Sequence, residues 1–136
     1  MSAEPAILEA VLAILRADNE VSGLVGESIF DAVPSDDRPG APPLVYGGPF
    51  NRRRFGDEGW TVTGRLFVQS TGFDRTEAWQ IADAAIRAID MAELVITGAY
   101  EAADVLRVSQ AGDVLNREGG FHAVFLDVST TVQRAG

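Results

Sequence analysis

Cysteine is absent from the 136 residues. Its absence removes disulfides, thiol nucleophiles and thiolate metal sites together. Lysine is absent too, so every one of the eleven basic residues is an arginine. No Schiff-base lysine and no P-loop lysine is available. His122 is the only histidine. A zinc site needs further nitrogen or sulfur ligands, and the chain has none to offer. The G-x-S-x-G turn that presents a nucleophilic serine is missing as well. His122 lies among apolar neighbours in an expected strand and reads as structural. No apolar run reaches the length of a membrane helix. The opening Met1-Ser2-Ala3-Glu4-Pro5 lacks the basic and apolar regions of a secretion signal. The expectation is a soluble protein made in the cytoplasm, with no membrane partner and no cofactor. Positive charge is scarce: the formal net charge is −9 and the pI near 4.4. Such a surface repels phosphates on average, whereas binding by counterion release needs clustered positive charge.

What remains is an ordinary globular composition, 46% hydrophobic and 23% charged, in a length that suits one domain. Ile7, Leu8, Val11, Leu12 and Leu15 recur at helical spacing and predict a helix over 4–17. Ser2 is placed to cap it and Pro5 suits its first turn. A short helical turn over 19–25 stops at Gly26. Residues 28–31 suit a short strand, and 33–43, rich in proline, a loop. Residues 44–46 read as a strand ending at Gly47-Gly48-Pro49, followed by a second loop over 50–59. The clearest strand is 60–70, with Trp60, Val62, Leu66 and Val68 on one face. Asp74 with Glu77 three residues on opens a helix over 75–90 in a capping-box pattern. Its stripe is Ala78, Ile81, Ala82, Ala85, Ile86 and Ile89. Strands are expected at 94–96, 100–109 and 121–132, the last two joined by an extended hairpin.

The fold expected is α+β: a mainly antiparallel or mixed β-sheet with two principal α-helices packed on it. The last strand is apolar on both sides. Phe121, Ala123 and Phe125 lie on one, and Val124, Leu126, Val128 and Val132 on the other. Either a neighbouring subunit covers the second face, or the two helices flank opposite faces.

Carboxylate pairs occur at Asp36-Asp37 and Asp57-Glu58, both in polar segments that read as solvated charge. The glycine pairs match no dinucleotide or phosphate-loop pattern. Phe50-Asn51-Arg52-Arg53-Arg54-Phe55 stands out in so acidic a chain. Arginine and aromatic residues are enriched at interface centres, so Phe50, Arg52, Arg53, Arg54 and Phe55 form a candidate subunit or docking interface. A mobile solvated loop and a single-strand nucleic-acid contact are the other readings.

The order of segments resembles the tail-terminator, or tail-completion, proteins of long-tailed phages and gene transfer agents. The resemblance rests on several stretches. The first helix is followed by Asn19-Glu20-Val21-Ser22-Gly23-Leu24-Val25-Gly26. Next come Ile29-Phe30-Asp31-Ala32-Val33-Pro34 and Pro43-Leu44-Val45-Tyr46-Gly47. Last are Leu66-Phe67-Val68-Gln69-Ser70 and Glu77-Ala78-Trp79-Gln80-Ile81-Ala82-Asp83-Ala84. The resemblance implies a non-enzymatic structural protein of the particle. It implies a homohexameric ring on the tail tube protein that stops tube growth and meets a head-side connector or stopper. DNA passes through without specific binding. In such a ring Asp36, Asp37, Asp57 and Glu58 are candidates for the lumen. The reading held against it is a small non-catalytic α+β ligand-binding or accessory domain.

Overall fold

Residues 2–32, 43–114 and 122–135 are described by a computed structural model. The order of elements is α1 (Ala3–Ala17), α2 (Asn19–Val25), β1 (Ile29–Phe30), β2 (Leu44–Phe55), β3 (Gly59–Gln69), α3 (Arg75–Ile89), β4 (Tyr100–Ala102), β5 (Arg107–Val114) and β6 (Ala123–Arg134). The fold is α+β, as expected. The strands form one sheet in the order β1-β2-β3-β6-β4, and β5 pairs with another stretch of β6. Among the described residues only the β1–β2 pairing is parallel.

The helix ends follow their capping chemistry. Asp18 accepts from Val21 N at 2.9 Å to open α2, and Asp74 accepts from Glu77 N at 2.9 Å to open α3. Gly26 ends α2 at φ +62°, in the region glycine enters without strain. Two expected caps differ. Ser2 makes no side-chain bond; its carbonyl accepts from Ala6 N instead. Glu77 accepts from Thr71 N at 2.6 Å, so it anchors the preceding turn rather than closing a reciprocal box.

Three strand assignments are corrected. The segment 50–59 is not a loop, because β2 runs on to Phe55 and pairs with β3 as far as Phe55↔Gly59. The glycines and Pro49, read as a stop, instead form a bulge between Gly47 and Phe50. Residues 94–96 join no ladder, and 100–109 is split into β4 and β5 by a bend. The described part of the expected 110–120 connector is strand as far as Val114; the rest, with Phe121, lies outside the described residues.

The sheet has two unlike faces. Val62, Leu66 and Val68 of β3 and Val124, Leu126, Val128 and Val132 of β6 are fully buried. They share one core with Ile7, Val11 and Leu15 of α1 and with Ile81, Ala85 and Ile89 of α3. Both principal helices therefore lie on the same face, which removes the reading in which they flank opposite faces. The opposite face carries Tyr46, Phe67 and Phe125 in one cross-strand row. Those rings are only half-buried. Tyr46 and Phe67 stack at 5.3 Å between centroids, and burial pushes the Tyr46 phenol up.

Candidate subunit and docking surface

The arginine segment forms the β2 side of a hairpin. Gly56, at φ +68°, makes the reversal with Asp57 and Glu58, and β3 returns from Gly59. Alternation along β2 divides the candidate residues between the two faces. Phe50, Arg52 and Arg54 pair with Gly64, Val62 and Trp60, so they project to the helix side. Arg53 and Phe55 project to the helix-free side.

Phe50 lies over Gly64, where a β-carbon would fall inside its ring. Arg52 ties the hairpin to the start of α1. Its Nε and Nη2 donate to Glu4 Oε1 at 2.9 and 2.6 Å, and its Nη1 to the Tyr100 hydroxyl at 3.4 Å. Its guanidinium also stands 5.2 Å from the Trp60 ring centre. The Glu4 bond holds the Arg52 pKa above its ordinary value. Glu4 Oε2 is buried and has no partner among the described residues. The Arg54 guanidinium also stacks on Trp60, 4.3 Å from the ring centre, and donates to the Asp57 carbonyl at 3.1 Å. Arg53 makes no hydrogen bond or ion pair among the described residues and is exposed. Phe55 is 61% exposed.

Four of the sequence candidates thus differ in state. Arg52 is committed within the chain, Arg54 is half committed, and Arg53 and Phe55 are presented outward. Asp57 and Glu58 sit at the tip of the same hairpin, lining a cleft with Arg54, Trp60, Tyr100 and Arg134. Asp36 and Asp37 lie outside the described residues.

A second polar cluster joins α3 to the sheet. His122 Nε2 stands 2.7 Å from Asp113 Oδ1, and Trp79 Nε1 donates to the same oxygen at 2.8 Å. Arg75 is 3.7 Å away. The His122 bond, then the Trp79 bond, holds the Asp113 carboxyl below its ordinary range. Ser70 Oγ donates to the carbonyls of Gly72 and His122, not to the imidazole. No nucleophile–base hydrogen bond is formed there, and the groups lock the start of β6 to the α3 entry. The sequence pairs neither Trp79 nor Asp113 with His122 at any recognisable spacing, so only the fold brings them together. Among the described residues, no three histidine, aspartate or glutamate side chains are grouped to hold a metal ion. No described helix is long and apolar enough to cross a membrane.

Residues 9–133 match a sequence family described as Tail completion protein gp17. Among curated proteins, none matches the sequence. A solved chain from the "Virion of native gene transfer agent (GTA) particle" superposes with a TM-score of 0.83 at 24% identity. The match covers 97% of this chain and 98% of that one. A second solved chain superposes with a TM-score of 0.58 at 14% identity, covering 100% and 99%. At such identities these two likenesses concern the fold.

Proposed function

The chain belongs to the Tail completion protein gp17 family, and from that membership we propose that it is the tail terminator of a phage or gene transfer agent particle. It is a structural component of the tail. The observation that carries this reading is the family match over almost the whole chain, 9–133. The close superposition on a chain of a gene transfer agent virion supports it.

In this reading copies of the chain form a six-fold ring on the end of the tail tube. The ring ends tube growth and offers its other side to the head-side connector. The hairpin of β2 and β3 is the contact element. Arg52 holds its root to α1, while Arg53 and Phe55 are left outward for a neighbour. Arginine and exposed aromatic side chains supply the desolvated anchors that such contacts use.

DNA would pass through the centre without being held. A basic bore would grip phosphates and add a salt-dependent barrier, because each neutralised phosphate releases counterions. Every copy brings a formal charge of −9. The bore is therefore net negative, with Asp57 and Glu58 at the hairpin tip as contributors. Electron micrographs of particles made with and without the protein test the role: its loss should leave tails of uncontrolled length or heads without tails. Normal tails on normal heads would reject it. Duplex DNA mixed with the protein at about 0.15 M salt should migrate as free DNA, where screening acts over about 8 Å. Tight, salt-sensitive retention would reject the negative bore.

A further inference from the structure

The helix-free face of the sheet and the outer surface of the helices differ in charge. On β2, β3 and β6 the helix-free face carries Arg53 and Arg65 against one carboxylate, Asp127. Arg65 is bonded to Asp127 at 2.8 and 3.2 Å and lies 4.3 Å over the Phe125 ring. On β4 and β5 the same face adds Glu101 and Arg107, and its remaining residues are aromatic or uncharged. The helix layer, residues 2–32 and 74–93, holds eleven carboxylates and three arginines. Glu9 and Asp83 are exposed on it and make no ion pair among the described residues. A chain of net charge −9 therefore has one broad face with three arginines, Arg53, Arg65 and Arg107, against two carboxylates, Asp127 and Glu101.

We propose that the helix-free face is the seat for a second copy of this chain, which lays its acidic helix layer against it. The row Tyr46, Phe67 and Phe125 supplies the apolar centre, and Arg53 meets carboxylates of the neighbour. A face rich in aromatics and arginine and poor in carboxylates has the composition of an interface centre. Duplex DNA fits it less well, since phosphate binding needs clustered arginines, and of the three here Arg65 is held by Asp127 and Arg107 stands 3.9 Å from Asp104. Like surfaces satisfy this contact poorly, because the carboxylates of a second sheet face, Asp127 and Glu101, are already bonded to Arg65 and Gln133, and two helix layers would repel. The contact is therefore heterologous, head to tail, and a heterologous contact repeats until the ring closes. The proposal rests on the ring reading and adds which two surfaces meet.

The test exploits that each copy uses both surfaces. One variant carries Arg53→Glu and Thr63→Glu, which make the sheet face acidic. The other carries Glu9→Arg and Asp83→Arg, which reverse the charge at two exposed carboxylates of the helix layer. All four sites are exposed or half-exposed, so melting curves should match wild type and certify folding. The wild type should show the ring mass in solution. Each variant alone should lose it, because its altered positions then meet charge of their own sign on the next copy. An equimolar mixture should recover it, since each variant's altered surface suits the other's. Wild-type-like assembly by both variants, or a mixture that stays unassembled, overturns the assignment of surfaces. Variants that assemble normally while the acidic-face variant alone loses duplex DNA binding would give the face to DNA instead. A wild type that stays monomeric at all concentrations overturns the ring reading, and this proposal with it.

Discussion

A β-carbon at Gly64 would occupy the space of the Phe50 ring. Gly64→Ala must therefore displace that ring from its half-buried seat. Overpacking of this kind costs about 1–3 kcal/mol, and urea denaturation should show a lowered midpoint with an unchanged slope. An unchanged midpoint would mean that the ring moves freely. Asp113 offers a pH test. Its folded-state pKa is lowered, first by His122 and then by Trp79. A depressed carboxylate adds stability in full above its unfolded value, about 3.9, and loses it as pH falls through the folded value. Asp113→Asn should thus melt below wild type at neutral pH, with the gap closing below about pH 4. A gap that stays constant into acid would show that the charge of Asp113 contributes nothing.

At the scale of elements, the β2–β3 hairpin differs most from its sequence reading. Polar residues and glycines over 50–59 predicted a loop. The strand forms because Arg52 and Arg54 both pack near the Trp60 ring, and because Arg52 reaches Glu4 on α1. Replacing all three arginines together would consequently mix stability with docking. Arg52→Ala alone should cost about 1–3 kcal/mol, because it leaves Glu4 with a second orphaned oxygen. Adding Glu4→Ala should recover part of that loss, as residues in one hydrogen-bonded pair are not additive. Arg53→Ser should stay within about 0.5 kcal/mol of wild type in the same denaturation experiment. Equal effects of Arg52→Ala and Arg53→Ser would contradict the division of the two residues between faces.

At the scale of the whole molecule, charge separates the helix layer from the bare sheet face. A contact between those surfaces is partly electrostatic and so responds to salt. Raising ionic strength from 0.1 to 1 M shortens screening from about 10 to about 3 Å. The assembled fraction in sedimentation should fall across that range at fixed protein concentration. Assembly that strengthens steadily with salt would identify a contact made by apolar burial alone.

Local patterns carried much of this protein in its sequence. The stripes of α1 and α3, the Asp74 cap, the stop at Gly26 and the alternation of β3 depend on neighbours within one turn or two residues. Such signals survive without knowledge of the rest of the chain. The order of segments also carried the family, and with it the tail role. The hairpin at 50–55 was not legible, because its strand is held by Glu4, Trp60 and Tyr100, residues 6 to 48 positions away from the arginines they meet. The Asp113–His122–Trp79 cluster was hidden for the same reason, since its members come from three elements. Both sides of β6 read as apolar, and nothing local says which side the helices take. Tertiary packing decided that by placing α1 and α3 on one face, which left the Tyr46, Phe67 and Phe125 row without a helix above it.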